Sequence, residues 1–415
     1  MTLSCFELGE QMLSVDEART ALATLVERPV GSEQVALAEA HGRRLADAIT
    51  AAINVPQNTN AAMDGVALAW TNDSQTRWAL AGDAFAGQAF EGRVAAGQCV
   101  RITTGAPLPP GTDTVIMREQ LTEHDASVVI DSPGRVKSGQ NVRQAGEDIA
   151  AGSVALAEGT RLDAAALGLI ASLGWSQVPV YNRPKVAIFS TGNEVTAPGD
   201  SLPNAGIYDA NRFTLTGLLI EYGVEVVDLG ILPDDLNALT DTLSHAAAHS
   251  DLVISSGGVS VGHADFTRDA LERLGRLAFW RVALRPGRPM ACGWLGTTRT
   301  PFVGLPGNPV AVMVTFLQFV VPLLQRLHGR PVTPPRRLNA IADEALKSRF
   351  QRTDFIRGVY HSDEKGQLHV RSTGSQGSGI LTSMVAANCL IELADDQDGV
   401  ESGEVVSIQP LTGWL

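Results

Sequence analysis

Apolar and polar positions alternate with different rhythms along the chain, and each rhythm predicts a different kind of structure. Near the N-terminus, Ser14-Val-Asp-Glu17 is a capping-box pattern ahead of a predicted helix over 15–26. A second helical stretch is predicted from 35 to about 41, and a third over 162–173, stopped by Gly174. These stretches are expected to rejoin one another. Between them, from Pro56 to about Gly152, apolar residues come in short runs such as Val100-Arg-Ile102 and Val115-Ile-Met117, set among Gly and Thr. Such spacing predicts a small β-rich insert with long loops.

From Lys185 onward, short β-branched runs alternate with helical stretches. Strands are predicted at 186–189, 224–229, 252–254 and 301–305, and helices at 212–222 and 236–248. Asp209 and Asn211 are N-cap candidates for the first helix, and Gly223 its stop. Asn308 is read as the N-cap, and Pro309 as the N1 residue, of a further long apolar helix. The alternation predicts a doubly wound α/β domain, which binds ligands beyond the carboxyl ends of its strands. After Pro334-Pro335 the pattern changes again, to alternating segments such as 367–371, 390–393 and 405–408. That texture predicts a C-terminal β-barrel or sandwich. The expected domains are 1–54 with 150–181, a β-rich insert over 55–149, the α/β domain over 182–330, and the barrel over 331–415.

Composition narrows the class. With 44% hydrophobic and 19% charged residues, the 415-residue chain is expected to be a soluble globular protein of several domains. A net charge of −13 argues against general nucleic-acid binding, so an anionic ligand needs a local basic cluster. Cys5, Cys99, Cys292 and Cys389 are scattered without metal-type spacing, and the first residues lack a basic and an apolar region. The apolar stretch 309–324 is broken by Thr315, Gln318 and Pro322 and is read as too short for a bilayer. The expectation is a cytoplasmic protein away from membranes.

The candidate chemistry lies where strands end. The segment 251–265 passes from an apolar strand through Gly257, Gly258 and Ser260 to Asp265. Glycines after a strand let backbone N–H groups approach an anion, and an acid beyond them is placed for a cation. One such turn is more often a plain turn than a site. Here, however, Glu194, Asp234, Asp235 and Asp265 all follow strand ends, as do Gly192, Gly257, Gly258 and Gly307. Together they point to a phosphorylated ligand with a divalent cation. No GxGxxG and no GxxxxGK[ST] is present, so neither a dinucleotide fold nor a P-loop is supported. Arg281, Arg285 and Arg288 cluster nearby, with Pro289, and arginine forks suit bidentate oxyanion contacts. In the β-rich insert, Asp64 beside Gly65, and Thr103-Thr104-Gly105, are turn-formers that single themselves out as candidates. Arg143, Glu147 and Asp148 form a short charged loop, for which a surface ion pair is the plainer reading. Arg357 and Ser378 form a second basic and hydroxyl-bearing pair in the barrel.

The segments NTNAAMDGVA, RITTGAPLPPGTDTVIM, GEDIAAG, FSTGNE, ISSGGVSVGHADF, LRPGRP and GLPGNPV, in this order, resemble the molybdopterin molybdenumtransferase (MoeA) family and the E domain of gephyrin. The resemblance covers nearly the whole chain. It implies a multidomain homodimer whose α/β domain binds molybdopterin. Such a protein inserts molybdate into adenylylated molybdopterin, with Mg²⁺, and releases AMP. The site is implied to be shared between subunits. Carried over by motif, Asp64, Thr104, Glu194, Asp234 and Asp265 line the cleft as catalytic groups, with Glu194, Asp234 and Asp265 toward the metal. Gly257, Gly258, Ser260 and Asn308 are expected on the pterin side, with Arg143 and Asp148 as a supporting pair. Arg281, Arg285, Arg288, Pro289, Arg357 and Ser378 are expected to take molybdate. Molybdopterin adenylyltransferase and the cofactor-accepting enzymes are the implied partners.

The chain departs from the family pattern at several positions. Arg281, Arg285 and Arg288 stand where the family usually has Lys, so each compact ammonium becomes a planar fork. Asn193 replaces an acid that commonly precedes Glu194, and Val66 stands where Tyr is common. These changes leave open a paralogue tuned to tungstate, or a carrier or scaffold of the cofactor. The adenylyltransferase activity of the related α/β domain is a third reading, opposed by the extra domains. The acidic set argues for chemistry, because a carrier has no need of several carboxylates beside an anion.

Overall fold

The computed structural model describes residues 12–71, 74–233, 235–257 and 266–411. Its contacts fall into two compact units: residues 34–180, and residues 181–415 together with the N-terminal 33.

In the larger unit, a seven-stranded sheet runs in the order Met12–Leu13, Gly275–Val282, Pro289–Leu295, Thr300–Leu305, Leu252–Ser256, Lys185–Thr191 and Glu225–Leu232. The last four are parallel; Thr300–Leu305, Leu252–Ser256 and Lys185–Thr191 have the near-continuous apolar runs of strands buried on both faces, and Glu225–Leu232 is the half-buried edge. Gly275–Val282 and Pro289–Leu295 add an antiparallel hairpin beside Thr300–Leu305. The arginine-rich segment therefore spans the end of one hairpin strand, with Arg281, and the hairpin connection, with Arg285 and Arg288. Helices Asn211–Glu221 and Leu236–His249 flank the sheet on opposite sides, each contributing to a different core. The predicted N-cap of the first is realised obliquely: Ala210 occupies the cap position, while Asp209 Oδ1 accepts from Arg212 N at 3.2 Å. Asp235, one of the acids expected at the ligand edge, caps the second helix by accepting from Ala238 N at 2.7 Å.

Three expectations are corrected here. Helix Val15–Ala23, expected to join residues 35–54 and 150–181, instead buries Val15, Ala18, Ala21 and Leu22 in the α/β core. Parallel pairing of Met12–Leu13 with Gly275–Val282 leads it there. Second, the helix expected from residue 35 is a strand, Ser32–Ala36, followed by one 3₁₀ turn. Its partner is Gln177–Tyr181, and a ladder formed across so many residues overrides local helical preference. Third, Pro309–Leu327 is one helical run of 19 residues, long and apolar enough to cross a membrane, with a π-type segment at Phe316–Val320. Of its apolar window, 89% is buried among Leu22, Val186 and Leu305, so its hydrophobicity is spent on the core.

The C-terminal region closes into a five-stranded barrel: Thr353–Ser362, Leu368–Ser372, Leu338–Ala342, Val405–Pro410 and Cys389–Leu393, which pairs back onto Thr353–Ser362. Closure removes the free edges that an open sheet would expose. Leu284–Arg285 adds in parallel to Thr353–Asp354 and ties the barrel to the α/β region. In the smaller unit, a six-stranded sheet carries Asp64 at the head of Gly65–Leu68. It is buried on both faces, with Ala67 and Val100 on one and Val66, Cys99 and Trp78 on the other. A separate core joins Leu45 and Ile49 to Leu162, Ile170 and Val178, across helix Ala164–Ser172.

Candidate active site

The parallel strands of the larger unit deliver their ends to one cavity of about 670 Å³. Lys185–Thr191 leads to Glu194, Leu252–Ser256 to Gly257, and Thr300–Leu305 to Gly307 and Asn308; all four residues line it. The size suits a cofactor-class ligand, since such pockets span roughly 300–1,000 Å³. Gly192 is required where it stands: φ is +127°, and a Cβ there would meet the Glu194 carboxylate at 2.7 Å. The Gly257 amide, expected to face an anion, donates to Leu305 O at 3.1 Å, so Gly257 contributes close approach and not a donor. Asn308 has the extended N-cap backbone, but its side chain makes no cap hydrogen bond. Val310 N donates to Ser378 O at 3.0 Å, which fixes the barrel loop to the start of the long helix.

Four arginines, Arg285, Arg288, Arg349 and Arg352, line this cavity. Arg285, Arg288 and Pro289 stand on one side with Ser378. Gly287 lets that side pack tightly: at φ +113°, an added Cβ would meet Thr315 Cγ2 at 2.5 Å. Arg285 Nε lies 3.3 Å from Asp354 Oδ1, yet its N–H misses the hydrogen-bond direction, and Oδ1 accepts no bond. The pairing is one of charge, not of alignment. Asp354 is fully buried, and burial pushes its carboxyl above the usual range, opposed by Arg285 and by the Ser348 hydroxyl at 3.2 Å.

Two predicted arginines stand elsewhere. Arg281, opposite Pro289 in the hairpin, is exposed and does not line the cavity. Arg357 is only 1% exposed. Its Nε donates to Ser383 Oγ at 2.9 Å, and Nη2 to the carbonyls of Gly377 at 3.0 Å and Ser375 at 3.4 Å. Burial, then the neighbouring Arg285, pushes it down to about 10, so it stays charged at neutral pH. Arg357 therefore holds the 375–377 loop from beneath. It also fixes Gln376, whose Oε1 accepts from Arg357 N at 2.9 Å and which faces the cavity. Sequence reasoning missed Gln376, Arg349 and Arg352. The signal for the arginines was a basic run, Lys347, Arg349 and Arg352, just ahead of a barrel strand.

In the smaller unit, Asp64 and Thr104 meet directly. Asp64 Oδ1 accepts from both the backbone N and the Oγ1 of Thr104, each at 2.7 Å. The Thr104 amide first, then its hydroxyl, hold this exposed carboxyl below its usual range. Gly105, at φ +82°, makes the turn that brings them together. Arg143 and Asp148 are both exposed, and among the described residues no ion pair joins them.

Asp234, Gly258, Ser260 and Asp265 lie outside the described residues. Among the described residues, no group of three or more His, Cys, Asp or Glu could hold a metal ion, and Glu194 is the carboxylate at the cavity.

Known proteins match along the chain. Residues 13–174 match the family described as "MoeA N-terminal region (domain I and II)". Residues 187–326 match "Probable molybdopterin binding domain", and residues 339–411 "MoeA C-terminal region (domain IV)". A molybdopterin molybdenumtransferase of Haemophilus influenzae is 42% identical over 97% of this chain and 100% of its own. One from Nostoc is 34% identical, covering 92% of this chain and 89% of its own. Among solved structures, a molybdopterin biosynthesis moeA protein from Pyrococcus horikoshii OT3 superposes with a TM-score of 0.83 at 28% identity. That match covers 96% of this chain and 100% of the other.

Proposed function

The chain belongs to the molybdopterin molybdenumtransferase family and acts in molybdenum cofactor biosynthesis, and we propose that its arginine-lined cavity inserts molybdate into adenylylated molybdopterin with release of AMP. The observation that carries this reading is the concentration of positive charge. A chain of net charge −13 places four guanidiniums around one cavity beside a single described carboxylate. Arg285 and Arg288, with the Ser378 hydroxyl, receive molybdate, a tetrahedral dianion that charge-assisted donors bind well. Arg357 acts beneath, keeping the 375–377 loop in place. Catalysis is then chiefly positioning and charge neutralisation.

Mg²⁺ fits this arrangement as a partner of the substrate phosphates. The ion is commonly held by one or two carboxylates plus phosphate oxygens, and Glu194 offers one such carboxylate. Asp234 and Asp265 are the proposed companions. Bound there, the ion would neutralise charge on the phosphoanhydride as AMP departs. We place the protein in the cytoplasm as a homodimer, with Asp64 and Thr104 of one subunit serving the cavity of the other. Adenylyltransferase and cofactor-accepting enzymes are its proposed partners.

Purified protein given adenylylated molybdopterin, Mg²⁺ and molybdate should release AMP, and omission of molybdate or Mg²⁺ should stop it. Binding without release would favour a carrier, and release with tungstate alone a retuned pocket. Mixing Arg288→Ala and Asp64→Ala chains, at molybdate too dilute to fill the Arg288→Ala cavity, should restore about a quarter of wild-type activity, because random pairing gives one intact site in half of the dimers.

A further inference from the structure

The cavity holds more positive charge than one dianion requires. Arg285, Arg288, Arg349 and Arg352 line it, and a single buried carboxylate, Asp354, offsets part of that charge, lying 3.3 Å from Arg285 and acting more weakly on Arg349. Among the described residues, no ion pair engages Arg288, Arg349 or Arg352. Holding several unpaired guanidiniums together costs stability through mutual repulsion unless a ligand repays it.

The four groups form two arms on different elements. Arg285 and Arg288 stand on the hairpin connection of the α/β sheet, and Arg349 and Arg352 on the loop ahead of barrel strand Thr353–Ser362. The arms are set relative to one another by parallel pairing, Leu284 with Thr353 and Arg285 with Asp354, and by Thr353 N donating to Ala283 O at 2.9 Å. Asp354 roots both arms, since its carboxylate faces Arg285 and also accepts from Ser348 Oγ and the Arg349 amide. Between the two barrel arginines, Gln351 takes a left-handed φ of +66°, uncommon for such a residue, and Phe350 turns out to 62% exposure. The turn leaves Arg349 and Arg352 at the cavity and Phe350 outside it.

We infer that Arg349 and Arg352 form a second oxyanion subsite, which holds a phosphoryl group of the pterin substrate while Arg285 and Arg288 hold molybdate. The identities of the two anions rest on the proposed function. The subsite itself rests on two cavity-lining arginines that form no ion pair among the described residues and on the strand pairing that sets the arms. Two forks at each subsite let one cavity hold two anionic groups, molybdate and a phosphoryl group, side by side.

Calorimetric titration of the full chain tests this, with inorganic pyrophosphate as the probe and molybdate as the second ligand. In the wild type both should bind at once, each with little effect on the other's affinity. Arg349→Ala/Arg352→Ala should weaken pyrophosphate about tenfold or more, as loss of charge-assisted bonds predicts, and weaken molybdate by no more than about threefold. Arg349→Lys/Arg352→Lys should recover part of the pyrophosphate affinity. Competition between the two anions for one site, equal loss of both in the alanine variant, or no pyrophosphate binding would overturn the inference. Pyrophosphate binding without molybdate binding would instead defeat the proposed function and leave the phosphoryl subsite standing.

Discussion

The arginine cavity of the larger unit and the Asp64–Thr104 turn of the smaller one offer opposite solutions to presenting charge. The turn is built locally on its own sheet: one carboxylate, two bonds of 2.7 Å and a glycine at φ +82° suffice, and the group stays in solvent. The cavity is assembled from a hairpin connection, three strand ends and two barrel loops, and rests on Asp354 and Arg357, both fully buried. Charge held by a buried network ties function to folding, whereas charge on an exposed turn leaves the two separable. Substitutions can break or sharpen that contrast.

The largest effect is expected at Arg357. Arg357→Met leaves the carbonyls of Ser375 and Gly377 without their donor, and should lower unfolding free energy by roughly 3 kcal/mol as well as abolish activity. Urea unfolding measures the first; wild-type stability would show that the 375–377 loop does not depend on this residue. Arg285→Met comes next, at about 1–2 kcal/mol, discounted because Arg285 is 35% exposed. Its sign with pH is specific. Asp354 has a raised carboxyl, so its folded state favours the protonated form. The penalty for losing Arg285 should therefore be full above the raised pKa and fade as pH falls through it. Melting curves across the acid range check this, and a penalty that grows toward low pH would contradict it. The smallest structural effect is expected at the turn. Thr104→Val removes one of two donors to Asp64, so it should lower activity while leaving the melting temperature unchanged. A marked fall in melting temperature would mean that the turn, too, is structural.

The same contrast explains what the sequence revealed. The parallel strands and their glycines were legible because each is encoded by neighbours in the chain. Asp64 and Thr104 were legible only as separate turns, since the pairing of Gly65–Leu68 with Gln98–Ile102 joins them across 40 residues. Arg349, Arg352 and Gln376 were not, because the barrel's closure and its pairing with Leu284–Arg285 carry them to the cavity. Arg357 was singled out, but its burial and its bonds to Ser375, Gly377 and Ser383 were not legible. Composition shows that a charge is present and cannot show whether backbone carbonyls already occupy it. Asp235 failed for the same reason, being spent on capping a helix. The fate of the N-terminal helix was hidden by a two-residue strand, Met12–Leu13, too short to read from periodicity.

The central claim is that unpaired arginines at this cavity bind the oxyanion, and Arg288 tests it most directly. Its side chain lines the cavity, and its closest recorded partner is the thioether of Met12 at 3.9 Å, so removing it disturbs no buried network. Molybdate titrated calorimetrically into wild-type protein and Arg288→Ala should bind the variant about tenfold or more weakly, at an unchanged melting temperature. Equal affinity in the two proteins would contradict the account.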